Sequence, residues 1–145
     1  MRRLLLTLVV AALPQMQPQE MKPSDESWPL RGARLLPGYN YVAQPSDVCP
    51  WGDIKKKDGG GVAIHFSGGQ VQNAVDSRRE SNQLAWERRQ RFGDTVAHVA
   101  MTKDSHLVVS YPGANFDAPV KSLEDVSDVL LMVLGYAEEP KGRGK

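Results

Sequence analysis

The segment from His65 to Gly69 places a serine beside small residues at the end of a β-prone run, which is a setting used by hydrolase nucleophiles. A nucleophile elbow requires glycine two positions before the serine, and His65 stands there instead. A catalytic serine also needs a base and an orienting acid, and no spacing in the chain specifies them. A turn after a strand explains Ser67-Gly68-Gly69 equally well. A hydrolase that uses Ser67 or His65 is therefore an alternative hypothesis for the function of this chain, not the first choice.

Three histidines, at positions 65, 98 and 106, are the candidate metal ligands. Zinc sites usually show clustered His or Cys residues, and these three are dispersed along the chain. If Lys103-Asp104 form a two-residue turn, His98 and His106 point to opposite faces of a sheet and cannot share a metal. We predict neither a metal site nor a cofactor, and we leave open whether Ca²⁺ joins an interface.

The charges are nearly balanced, with 18 basic and 17 acidic residues and a formal net charge of +1. Loss of Arg2 and Arg3 would bring the charge to about −1, which gives no general attraction for nucleic acid. Nucleic-acid binding is not expected. A local basic group could instead bind an acidic partner surface, although a solvated face is the commoner outcome. The arginines of that group are Arg78, Arg79, Arg88, Arg89 and Arg91.

Residues 1–12 have the pattern of a secretory signal peptide, because Met1-Arg2-Arg3 precede an apolar run that ends at Ala12. The run is too short to span a bilayer, and no cysteine follows it to carry a lipid. We predict cleavage after Ala12 and a periplasmic product without a membrane anchor. A flexible tether over 13–27, one globular domain over 28–140 and a disordered tail over 141–145 complete the predicted organisation. The single cysteine, Cys49, excludes an intramolecular disulfide and is predicted to be buried.

Short β-prone runs predict an antiparallel sheet. The first strand covers residues 39–42, and a glycine turn over 58–61 joins two strands of a hairpin. A second hairpin spans 95–111. The loop over 45–52 holds Trp51, which we expect to pack onto the core, and residues 112–117 form a surface loop. With the turn at Lys103-Asp104, the core side of the second hairpin carries Val96, His98, Ala100, Leu107, Val109 and Tyr111.

Two helices are predicted to pack with this sheet. Ser122 with Asp125 marks the start of a C-terminal amphipathic helix, whose apolar residues recur at helical spacing up to Ala137. A capping box beginning at Ser77 predicts a second helix near residues 78–92, and strand pairing through Leu84-Ala85-Trp86 remains the alternative. The fold class is therefore α+β, an antiparallel sheet of short strands and hairpins packed against the C-terminal helix.

Aromatic residues in predicted loops suit docking to another protein, because they bury a large area with little loss of rotamer entropy. The leader, the chain length, the arginine-rich but near-neutral composition and the absence of a catalytic motif together resemble periplasmic immunity proteins of type VI secretion effector–immunity pairs. The resemblance is to those that neutralise cell-wall muramidases.

That resemblance implies a protein that occludes the active-site groove of a secreted, cell-wall-degrading toxin. The alternatives are the small periplasmic hydrolase and a non-enzymatic envelope accessory or ligand-binding module. From the predicted loops alone, the partner-binding residues are Trp51, Ser67, Gly68, Gly69, Gln70, Asn115, Phe116 and Asp117.

Overall fold

The computed structural model describes residues 19–20, 30 and 32–137 of the chain. The predicted signal peptide over 1–12 and the predicted tail over 141–145 lie outside these residues. The described elements, in chain order, are β1 (Gln19–Glu20), β2 (Arg34–Leu35), β3 (Tyr39–Ala43), β4 (Trp51–Lys56), β5 (Ile64–Gly68), α1 (Ala74–Glu80), β6 (Leu84–Phe92), β7 (Thr95–Thr102), β8 (His106–Tyr111), β9 (Ala114–Pro119), α2 (Leu123–Val133) and a 3₁₀-helix (Leu134–Ala137).

A seven-stranded antiparallel sheet forms the body of the protein, and its order is β3-β4-β5-β9-β8-β7-β6. Most neighbouring strands are consecutive in the chain and form hairpins. The β5–β9 pair joins the two halves of the sheet. β1 and β2 form a separate two-stranded sheet. β1 lies within residues 13–27, the segment that was predicted to be a tether. The α+β class and the sheet of hairpins are confirmed.

One face of the large sheet, called the core face here, packs against α2 and the 3₁₀-helix. Successive strand residues point to opposite faces, so Phe66, Phe116 and Val109 reach this core from neighbouring strands. Val133 of α2 and Tyr136 of the 3₁₀-helix close it from the other side, with the Tyr136 ring 5.5 Å from that of Phe116. Ser122 caps α2 by accepting from the Asp125 N–H, which confirms the predicted helix start.

The opposite face, called the α1 face, is only partly covered. Val75 of α1 is fully buried against Ala100 and Val108, and Leu84 packs beside them. α1 therefore lies over β6, β7 and β8, whereas Val42 of β3 and Trp51 of β4 are exposed on this face. The α1 face at that end of the sheet is open to solvent.

The predicted helix over 78–92 is wrong. α1 ends at Glu80, and residues 84–92 form the strand β6, so the alternative of strand pairing through Leu84-Ala85-Trp86 is confirmed. Gly93 has φ +57° and belongs to a two-residue turn that pairs Phe92 with Thr95. Pairing with β7 gives the backbone of this polar segment its hydrogen bonds. A helix over the same residues would have buried only a thin apolar stripe.

The predicted register of the second hairpin is also wrong, by one residue. Its turn contains three residues and ends at Ser105, which has φ +65°, so Met101 lies opposite Leu107. A shift of one residue exchanges the faces of one strand relative to the other. Leu107, Val109 and Tyr111 face the core as expected, but the predicted core residues Val96, His98 and Ala100 lie on the α1 face. His98 and His106 consequently share a face.

Two predicted loops are shorter than expected, because strands take over part of each: residues 45–50 do form a loop, but Trp51 and Gly52 belong to β4. Trp51 is the first residue of β4 and is 38% exposed, so it does not pack down onto the core as expected. Most of the predicted surface loop over 112–117 belongs to the central strand β9. Cys49, predicted to be buried, is half-buried in the segment between β3 and β4.

Candidate functional site

The open end of the α1 face brings together side chains from β4 and β5. Trp51 lies opposite Ser67 and Asp53 lies opposite His65 in the antiparallel register of these strands. Residues directly opposite each other project to the same face, so all four side chains emerge side by side. β4 is paired on both sides, by β3 and β5, which holds this group on a rigid support.

His65 and Asp53 form a hydrogen-bonded pair on this surface. The His65 Nδ1 lies 3.0 Å from Asp53 Oδ1, and the two side chains are 50% and 33% exposed. Because an ionised carboxylate only accepts hydrogen bonds, Nδ1 donates, and in the neutral ring Nε2 carries the free lone pair. The Trp51 ring lies 5.8 Å from the imidazole at a tilted angle of 56°. The pair presents an oriented imidazole beside an aromatic ring.

Exposed apolar side chains lie on β4, which carries Asp53 of this pair, on the neighbouring strand β3 and on the connection that leads into β4. Val42 of β3 lies opposite Asp53 and is 40% exposed, and Val48 of the β3–β4 connection is 89% exposed. Together with Trp51 they place three large apolar groups near one end of the sheet. We call Val42, Val48, Trp51, Asp53 and His65 the Trp51 surface. An exposed apolar group with a polar pair beside it is typical of a protein-binding site.

Ser67 shares this face but lacks the surroundings of a nucleophile. The N–H of Gly68 donates to the Pro50 carbonyl at 2.8 Å, and the N–H of Gly69 donates to the Gly113 carbonyl at 2.9 Å. These amides are therefore not available to stabilise an oxyanion behind Ser67. Gly68 is buried, and a Cβ there would lie 2.8 Å from the Phe66 ring, so its role is close packing. Gly69 and Gln70 are exposed at the strand end.

The other three predicted binding residues have structural contacts. Phe116 is fully buried, and Asn115 is 7% exposed, with its side chain bonded to the entry of α1. Asp117 accepts from Arg78 and, at 2.6 Å, from His106 Nδ1. Phe116 and Asn115 thus have little or no surface to offer a partner. Of the predicted residues, Trp51, Ser67 and Asn115 do lie in register across β4, β5 and β9.

A second polar group lies between α1 and β6. Arg79 donates through Nε to Glu87 at 2.7 Å and through Nη1 to Asp76 at 2.9 Å. The buried His98 donates through Nε2 to the same Glu87 at 2.8 Å. The bonds from Arg79 are the main reason that the pKa of Glu87 is lowered to about 2. These bonds attach α1 to the sheet edge, so the group serves the fold.

Sequence reasoning missed three members of the Trp51 surface, which are Val42, Val48 and Asp53. It considered His65 only as a catalytic residue or metal ligand. The signal for Asp53 was present, since a hairpin centred on Gly59 places residue 53 opposite residue 65. Asp53 was overlooked because the residues just before it, 45–52, were assigned to a loop, whereas β4 already begins at Trp51.

Within residues 32–137, no three His, Cys, Asp or Glu side chains are grouped to hold a metal ion. None of the described helices has the length and apolar character needed to cross a membrane. A scan against protein-family models matched no family, and searches of curated proteins and of solved structures found no match.

Proposed function

We propose that this protein is an exported binding protein that inhibits a partner by occluding it. The Trp51 surface carries the proposal, because it joins an exposed aromatic anchor, two exposed valines and an oriented His–Asp pair. Aromatic anchors of this kind supply a large share of the binding energy at protein interfaces. The paired strands beneath keep the surface ordered before binding, which reduces the entropy lost on association.

The partner that we propose is a secreted enzyme that degrades the cell wall, with its active-site groove as the docking position. The resemblance to immunity proteins of type VI secretion pairs supports this choice, together with the leader-like residues 1–12. A gene for such a toxin is expected next to the gene for this chain.

The test is affinity purification from periplasmic extract, followed by mass spectrometry and measurement of affinity. We expect one stoichiometric partner with a nanomolar dissociation constant, and inhibition of its peptidoglycan hydrolysis by the purified chain. Trp51→Ala should weaken binding by about 30-fold or more, which corresponds to a hot-spot contribution of about 2 kcal/mol. Leu131→Ala is the control, because Leu131 is 53% exposed but lies on α2, outside the Trp51 surface.

Failure to recover a tight partner, or equal losses of affinity with Trp51→Ala and Leu131→Ala, would refute the proposal. The oriented His65–Asp53 pair keeps the hydrolase as the second candidate, since an imidazole held by a carboxylate is a suitable general base. Turnover of a substrate by the purified chain alone, abolished by His65→Ala, would establish that candidate instead. A partner from the envelope without enzymatic activity would favour the accessory module.

A further inference from the structure

The arginine group singled out in the sequence does not act as one unit. Three of its members form ion pairs within the fold: Arg78 with Asp117, Arg79 with Glu87, and Arg89 with Asp76 at 3.4 Å. Arg88 and Arg91 have no ion-pair partner among the residues that the structure describes, and both are exposed. Two cationic side chains on β6 are therefore available to an external group.

β6 is also the last strand of the sheet. It pairs only with β7, and residues 85–91 are all exposed. The two-residue turn makes Phe92 and Thr95 a hydrogen-bonded pair, so Phe92, Gln90 and Arg88 direct their backbone groups toward β7. The alternate residues Glu87, Arg89 and Arg91 direct their backbone groups outward.

These outward groups form an edge that can accept another strand. No described backbone group donates to or accepts from the outward amides and carbonyls of Glu87 and Arg89. The Arg91 carbonyl accepts only from the Gln90 side chain, at 3.2 Å, and that flexible amide can be displaced. An edge of this length is a template for β-augmentation.

We propose that the outer edge of β6 binds an extended acidic segment of a partner protein as an additional antiparallel strand. The surface is defined by residues 86–91, and it lies at the other end of the sheet from the Trp51 surface. It is thus a second docking site that does not depend on the proposed function.

The register sets the sequence that this edge prefers. Arg91 and Arg88 are three residues apart and project to opposite faces, while Trp86 and Arg88 share one face. An antiparallel strand would therefore place an acid opposite Arg91, a second acid three residues later opposite Arg88, and an apolar residue two positions further on, opposite Trp86. An acid opposite Glu87 is disfavoured by repulsion.

A second copy of this chain is a poorer occupant of the same edge. Each β6 carries Arg88, Arg89 and Arg91 against the single acid Glu87, which Arg79 already neutralises. Pairing two copies would bring two groups of arginines together, and like charges on paired strands are destabilising. Charge complementarity favours the acidic segment.

The probe is a blocked ten-residue peptide with Glu-Val-Thr-Glu-Thr-Leu at its centre, titrated into the intact chain by calorimetry. We expect saturable one-to-one binding that weakens as salt concentration rises. The double variant Arg88→Glu, Arg91→Glu should bind at least tenfold more weakly, because two exposed attractive pairs become repulsive. A peptide with lysine in place of both glutamates should bind this variant in preference to the wild type. Circular dichroism checks that the variant keeps the fold.

N-methylation of the peptide separates strand addition from attraction by charge alone. Methylating the threonine amide opposite Arg89 removes a bond to the edge and should abolish binding, whereas methylating the amide opposite Arg88, which faces away, should have little effect. Trp51→Ala should leave the peptide affinity unchanged. Absence of saturable binding, equal effects of the two methylations, or an unchanged affinity in the double arginine variant would overturn the proposal.

Discussion

Asn115 links the sheet to α1 through three hydrogen bonds. Its Oδ1 accepts from the Ala74 N–H at 2.9 Å and from the Ser110 hydroxyl at 2.7 Å, and its Nδ2 donates to the Gln72 carbonyl at 2.8 Å. Asn115→Ala leaves the buried Ser110 hydroxyl and two partly buried backbone groups without partners, which should lower the free energy of unfolding by about 2–3 kcal/mol. Urea denaturation measures the loss.

Two other variants make this prediction specific. Ser110→Ala removes one of the three bonds and should cost about 1 kcal/mol, while Gln70→Ala, at an exposed position, should cost almost nothing. If Asn115→Ala were as stable as the Gln70 variant, the assignment of Asn115 to the fold would fail and its predicted role in binding would regain support.

Glu87 makes the stability depend on pH in a defined window. The bonds from Arg79 lower its pKa from 4.5 to about 2 in the folded chain, so the unfolded chain binds the proton first as the pH falls. The stabilisation is therefore complete above pH 4.5 and is lost as the pH approaches about 2. Glu87→Gln should be less stable than the wild type at pH 7, and its free energy of unfolding should fall less between pH 4.5 and about 2. Urea midpoints of both proteins, measured across this pH range, test the prediction. Equal falls in the two midpoints would contradict it.

Residue types predicted part of the candidate site. Trp51 was expected to pack onto the core from a loop, but it is exposed at the first position of a strand, and its role in binding stays a prediction. Asn115 and Phe116 were assigned to a binding loop because Pro112-Gly113 suggested a longer turn than the chain forms. Whether a polar residue in a short strand faces solvent or a neighbouring helix depends on contacts distant in sequence, and α1 decides this for Asn115.

At the scale of elements, β6 can be distinguished from a helix by proline substitution. The amide of Arg88 bonds to β7, whereas the amide of Arg89 points outward. Arg88→Pro should therefore destabilise the chain by about 3 kcal/mol, and Arg89→Pro should cost much less, since proline is tolerated where an edge amide faces solvent. Arg88→Ala and Arg89→Ala control for the lost charges. Equal and large losses at both positions would instead indicate a helix.

The attachment of α2 to the sheet depends on Tyr111. Its hydroxyl donates to the Val133 carbonyl at 2.9 Å inside the core, and burial raises the pKa of this phenol above its usual value of 10.0. Tyr111→Phe keeps the ring contacts but leaves the carbonyl without its donor, so the free energy of unfolding should fall by about 1–2 kcal/mol. Leu131→Ala, at an exposed position of α2, is the control and should change little. A phenylalanine variant as stable as the wild type would show that this bond contributes nothing.

Sequence signals differed in value among the elements. The spacing from Ser122 to Ala137 predicted α2 because its apolar stripe is wide and its cap is local. In contrast, the start signal at Ser77 lay inside a helix that Asn73 already begins, and the following arginines suit a helix and an exposed strand equally well. The outcome for residues 84–92 depended on the turn at Gly93, which makes pairing with β7 available.

For the whole molecule, the α+β class followed from the sequence, but the strand order did not. Hairpins such as β3–β4 and β7–β8 join neighbouring strands and carry local turn signals. The β5–β9 pair joins residues about 50 apart in sequence, and no local pattern specifies it. This pair nevertheless decides that β3 and β6 lie at opposite ends, and hence that the two proposed docking surfaces are separate.

The layered arrangement predicts a gradient of amide exchange across the sheet. Strands β5, β9 and β8 lie at the centre, where Phe66, Val109 and Phe116 are fully buried against the α2 layer. Their amides should open only on global unfolding and exchange slowest, while the outward amide of Arg89 should exchange almost at once. The inward amide of Arg88 should be intermediate, because β6 can separate from β7 without unfolding the core. Hydrogen exchange followed by NMR tests this order, and protection of β6 equal to that of β8 would mean that the sheet unfolds as one unit.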